Sequence, residues 1–177
     1  GAAAARYTVG VTLVWIVVGS LWCYPYSLSY FNELIGGPKN GYRYLVDANV
    51  DWGQDLFFVR EWIRQHPDAQ PITLRWSGIF DLTVAGINPP ATPIPESPDE
   101  NRTGDLASSS PPASRFEGWH LVSVHELQGA DQRFAYLREL EPVDRIGYSV
   151  MVYYLDKTQA EKAAKSFHAP LRPPRDR

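Results

Sequence analysis

The densest set of polar side chains in this sequence is Asp47, Asn49, Asp51, Gln54 and Asp55, with Trp52 and Gly53 among them. Oxygen ligands at alternate positions suit a hard cation such as calcium. An EF-hand loop would place glycine at the sharp turn and a bidentate glutamate at its end, however, and here those positions hold Trp52 and Phe58. The same residues fit a plainer role, in which short Asp and Asn side chains bond nearby backbone amides and cap a following helix. Asp51 and Gln54 have the spacing of a capping box, in which Gln reaches back to the cap residue's N–H. A third reading makes Asp47, Asn49, Asp51, Trp52, Gln54 and Asp55 contacts for a sugar or a headgroup. Elsewhere the chemistry is sparse. His120 and His125 lie five apart on a predicted strand, which sends them to opposite faces and prevents a shared metal. The single Cys23 excludes an internal disulfide and a cysteine zinc cage. Asn101-Arg102-Thr103 is a glycosylation sequon, a pattern frequent by chance. There is no nucleophile elbow, phosphate loop or zinc-protease helix. No residue is assigned a catalytic role, no metal set is assigned, and no cofactor is expected in this chain.

The elements that would carry these residues follow from periodicity. Trp52, Leu56, Val59 and Ile63 fall on one face of a helix that Asp51 would cap and His66-Pro67 would end. Residues 72–76 alternate apolar and polar, as a half-buried strand does. Residues 119–127 and 145–155 are two further strands, the last apolar on both faces and so central. Residues 132–140 predict a short helix with Phe134 and Leu137 inward. Thr158 and Glu161 have capping-box spacing before a charged helix. Residues 36–50 are a Gly-rich connector, and residues 87–116 are rich in Pro and Ser and predict a long surface loop. The fold class is α/β (α+β): a small three-stranded sheet flanked by helices over residues 36–156, with a short charged helix and loose tail at 157–177.

An apolar segment precedes this domain. Residues 7–32 carry no charge, and residues 9–22 are apolar apart from Thr12 and Ser20. With Ala2–Ala5 included, the stretch is long enough for a hydrocarbon core of about 30 Å. Trp22, Tyr24, Tyr26, Tyr30 and Phe31 crowd its end like an interfacial belt, and Pro25 stops the helix. Two rival readings are a signal peptide, for which Gly19-Ser20-Leu21-Trp22 offers a poor cleavage pattern, and a buried core helix. The expectation is one span over residues 1–35 in a lipid bilayer. Arg6 biases the N-terminus to the cytoplasm and the domain to the outside. A net charge of -3 argues against a nucleic-acid partner, since neutralising phosphates needs clustered Lys and Arg.

Several blocks resemble a known signature. They are residues 24–38 (YPYSLSYFNELIGGP), 40–45 (NGYRYL), 51–56 (DWGQDL), Gly118-Trp119, Leu127-Gln128-Gly129 and residues 141–149, EPV followed by Arg145-Ile146-Gly147-Tyr148-Ser149. Together these resemble bacterial phospholipid-carrier-dependent glycosyltransferases of the protein O-mannosyltransferase-like superfamily. The resemblance implies the last membrane helix and the extracytoplasmic C-terminal domain of a cell-membrane enzyme. The whole protein would transfer a sugar from a polyprenyl-phosphate donor by an inverting mechanism, metal-assisted or acid/base, with a divalent metal allowed in the parent enzyme. The family's acidic catalytic residues sit in an early loop between membrane helices, which is not among these residues, so none is carried over. The alternative is a stand-alone membrane-tethered binding or assembly module without catalysis.

Overall fold

The computed structural model describes residues 1–45, 50, 52–88, 112–129 and 134–166. The chain forms two compact units, Gly1–Asp51 and Trp52–Arg177.

The first unit is dominated by helix α1, Ala2–Cys23. Its 22 residues are long and apolar enough to cross a membrane. Val9, Val11, Val14, Trp15 and Val18 are all exposed, so within this unit the apolar surface finds no protein cover. That is how a span looks when lipid is removed, and it runs against the buried-core reading. The helix stops two residues before Pro25, as expected. Beyond it come two 3₁₀ turns, Ser27–Ser29 and Glu33–Ile35, the second capped by the Asn32 side chain, which accepts from the Leu34 N–H at 3.1 Å. The predicted connector contains one helical turn, α2, Pro38–Gly41. Pro38 suits a first helical turn because its missing N–H has no partner to lose there. Gly41 is needed because the Phe31 ring occupies the space a Cβ would take.

The second unit is built on a sheet of four strands: β1 Ile72–Arg75, β2 Gly118–Ser123, β3 Asp144–Ile146 and β4 Val150–Leu155. Their order is β1-β2-β4-β3, with β1 parallel to β2 and the other pairs antiparallel. The α+β class is as expected, with four strands rather than three. Residues 145–155, read as one strand, are a hairpin: Gly147, at φ +57°, turns the chain back. β4 is central, and Val150, Met151 and Val152 are buried in succession because both sheet faces are covered. On one face lies α3, Leu56–Gln65, whose Leu56, Val59 and Trp62 join Ile72, Leu121, Ile146 and Val150 in the core. On the other, α5 (Lys157–Ser166) packs with the 3₁₀ turns Ala113–Arg115 and Ala135–Glu139. A fifth helix, the short α4, spans Val124–Gln128.

Local chemistry explains the other departures. The strand expected over 119–127 ends at Ser123, whose Oγ accepts from the Glu126 N–H and opens α4. His125 is therefore helical, and the opposite-faces argument does not apply to it. Ser123-x-x-Glu126 is itself a capping-box spacing. At α5 the reciprocal box is Asp156 with Gln159, not Thr158 with Glu161. The Asp156 N–H donates to Gln159 Oε1 at 3.0 Å, and the Gln159 N–H to Asp156 Oδ1 at 2.8 Å. Phe134 and Leu137 point inward as expected, from a 3₁₀ turn rather than an α-helix. Ile87 and Phe116, the two ends of the expected loop, are buried. Its residues 89–111, and the tail from 167, lie outside the described residues.

His120 on β2 is fully buried. Its ring bonds the Phe116 carbonyl at 2.8 Å through Nε2, so the proton belongs there, and Nδ1 has no hydrogen-bond partner. Burial holds its pKa below the usual histidine range. The unfolded chain then binds the extra proton first, so stability is fully present above the ordinary value of about 6.5 and falls as pH drops through it. Replacing His120 by Phe should flatten the loss of thermal stability between pH 7 and pH 5, measured on the full chain in detergent. Parallel pH profiles for the two proteins would refute this account.

Candidate functional site around Asp55

Residues 52–55 form a tight approach to α3. Gln54 accepts the Trp52 N–H on its Oε1 at 2.8 Å, and Gly53 adopts φ +103°, which no helix allows. The helix accordingly starts at Leu56, not next to Asp51. The N-cap position read for Asp51 is thus held by Asp55, and Gln54 serves the Trp52 N–H. Asp47, Asn49 and Asp51 lie outside the described residues. Trp52 is about half exposed at 47%, and Gln54 is half-buried.

Asp55 is different. It occupies the N-cap position, and its carbonyl accepts the Val59 N–H at 2.9 Å. Its side chain makes no cap bond and turns into the interior, where it is 0% exposed. There Oδ2 accepts the Ser149 hydroxyl at 2.6 Å, a short O–H···O bond. Ser149 is also fully buried, and its carbonyl accepts the Val124 N–H at 2.7 Å. One chain of bonds therefore joins the start of α3, the β3–β4 turn and the start of α4. Gly147 lies at the same point: a Cβ there would overlap the Asp55 carboxylate. The backbone conformation and the close approach both demand glycine.

Of the six residues singled out by sequence, then, Trp52, Gln54 and Asp55 are described, and Asp55 is the one committed to the interior. Gly147 and Ser149 were missed as its partners, because a separation of 94 residues leaves no local signal. The one hint was that both blocks belonged to the same resemblance. Ser149 beside Asp55 is not a nucleophile pair: both are sealed from solvent, and no histidine is among their described partners. Among the described residues no group of three or more His, Cys, Asp or Glu side chains could hold a metal ion. A separate cleft of about 300 Å³ is floored by Ile63, Ile72 and Leu74 and rimmed by Arg60 and Gln70. Arg60 is committed there to the Ala85 carbonyl at 3.3 Å and to the face of Phe57. No family model, curated protein or solved structure matches this chain.

Gly147→Ala should be costly, because a left-handed conformation alone costs a non-glycine residue about 1–3 kcal/mol, before the overlap with Asp55 is counted. Ser149→Ala should cost about 1–3 kcal/mol by removing a hydrogen bond to a buried carboxylate. The Gly147→Ala penalty should shrink in an Asp55→Gly background, which removes the overlap but not the strain. Denaturant unfolding of the single and double variants measures this coupling. Strict additivity would show that Gly147 and Asp55 do not press on each other.

Proposed function

We propose that this chain is the extracytoplasmic C-terminal part of a membrane glycosyltransferase whose sugar donor is linked to a polyprenyl phosphate. In this reading α1 is a membrane span, and the second unit is accessory to a catalytic membrane portion outside these residues. The observation that carries it is the Asp55–Ser149 bond. Asp55 of the one block, residues 51–56, meets Gly147 and Ser149 of the other, residues 145–149, distant in sequence, at a position where Gly147 tolerates no side chain. Chance matches scattered along a chain have no reason to converge, whereas a shared domain would require them to. The exposed apolar surface of α1 supports the membrane part of the reading. A divalent metal, where the chemistry uses one, belongs to the catalytic portion. The burial of both Asp55 and Ser149 favours one second reading, a membrane-tethered binding or assembly module without catalysis, since a sealed pair offers nothing reactive.

The chain should stay with membranes through carbonate washing, and alone it should transfer no sugar from polyprenyl-phosphate donors. The DNA upstream of the Gly1 codon should continue the reading frame through several apolar spans and an acidic loop. That longer protein should show the transferase activity. A start codon directly upstream would favour the tethered module. Transfer by residues 1–177 that is lost on changing one of their own carboxylates would overturn the accessory role.

A further inference from the structure

Exposed large apolar side chains are unevenly spread over the second unit. Seven occur among its described residues, and five of them, Trp52, Phe57, Ile79, Phe80 and Val84, lie at the start of α3 and in residues 79–84. These two segments are fastened together. The Phe80 ring lies on Gly53, 2.6 Å from where a Cβ would stand, next to Trp52. The Trp76 indole N–H donates to the Phe80 carbonyl at 2.9 Å, and its ring covers Gly78, which fixes the tip that presents Ile79 and Phe80. Arg60 lies 5.5 Å from the Phe57 ring centroid and bonds the Ala85 carbonyl beside Val84. The result is one apolar face with a cation at its side. Ile79 at its tip is 71% exposed. Such a face is unfavourable in water, since apolar surface gains free energy on leaving it.

We propose that Trp52, Phe57, Ile79, Phe80 and Val84 form a membrane-docking face that sits in the interfacial layer of the bilayer that α1 crosses. The inference rests on the reading of α1 as a span. A membrane-held α1 keeps the second unit close to lipid, because the chain between Cys23 and Trp52 reaches at most on the order of 100 Å even when fully extended. Docking is then an intramolecular event at high effective concentration, and weak insertion suffices. The composition fits an interfacial anchor: three aromatic side chains, Trp52, Phe57 and Phe80, with the aliphatic Ile79 and Val84 for the headgroup boundary. Arg60 at the side suits anionic headgroups. Asp81, the acidic group next to Phe80, is tied back to the Thr83 N–H at 2.8 Å and the Thr83 hydroxyl at 2.5 Å. These bonds hold its carboxyl below the ordinary carboxylate range, so it stays charged at the hydrated headgroup level.

The test uses the full chain with Cys23→Ser, reconstituted in phosphatidylcholine and phosphatidylglycerol vesicles. An environment-sensitive fluorophore is attached at Ile79→Cys, at Val84→Cys as a second position, or at Glu161→Cys on α5 as a control. Carbonate-washed vesicles are floated, and emission is read with and without doxyl-labelled lipid. Labels at 79 and 84 should be blue-shifted and quenched severalfold more strongly than the label at 161. Phe80→Asp should reduce the quenching at 79 while flotation persists. Equal quenching at all three positions in floating vesicles would overturn the docking face and leave the span intact. A blue shift at 79 without lipid quenching would mean that protein covers the face, which also overturns the proposal. Failure to float would remove the span and the docking face together.

Discussion

A polar group taken out of water must be satisfied by its surroundings, and in a small sheet unit few groups are placed to do so. Asp55 is such a group. Its carboxylate reaches the interior from the first turn of α3 and accepts the Ser149 hydroxyl, while Ser149 in turn receives the Val124 amide on its carbonyl. Helix, hairpin turn and the exit of β2 are thereby set relative to one another by directional bonds, on top of the nondirectional burial of Leu56, Val59 and Trp62. Gly147 completes the constraint by leaving the carboxylate room. The apolar core alone could tolerate α3 sliding along the sheet. A 2.6 Å bond to a buried hydroxyl does not.

Several parts of the fold could be read directly from the sequence, because their causes are local. α1 shows its apolar run and its proline stop, β1 its alternation, and Phe134 and Leu137 their inward spacing. The errors arose where two local signals competed. In residues 145–155 the strand pattern outweighed one glycine, yet that glycine makes the turn that yields the fourth strand. At residues 119–127 the apolar run outweighed Ser123-x-x-Glu126, and the cap ended the strand. At α5 two capping boxes overlapped two residues apart. Asp156 won, and Thr158 and Glu161 remain exposed two residues further on. Asp51 attracted the capping role because Gln54 stood at the right distance, but Gly53 turns the backbone out of any helical path before Leu56.

The candidate site was less legible, for a different reason. Asp55 was identified as part of a dense polar run, but nothing near it in sequence indicates that its side chain turns inward while Trp52 stays half exposed. That difference depends on Ser149 and Gly147, supplied from across the sheet. Polar density in a sequence thus marks a place where side-chain bonds are made, without saying whether water, a ligand or the protein makes them. Here the protein takes Asp55.

The two kinds of apolar surface in the molecule also differ in origin. α1 exposes apolar side chains along most of its length, and it is long and apolar enough to cross a membrane. The second unit is amphipathic in the ordinary way, with Leu56, Val59 and Trp62 turned inward on α3 and Phe57 outward. Phe57 is joined on the outside by Phe80, Ile79 and Val84 from a segment that is hydrogen-bonded back on itself through Trp76 and Asp81. A segment with such internal bonds keeps its shape without needing those apolar tips inside the core. Their exposure is thus built into the fold, not a consequence of poor packing, and a fixed apolar face calls for an environment other than water to meet it.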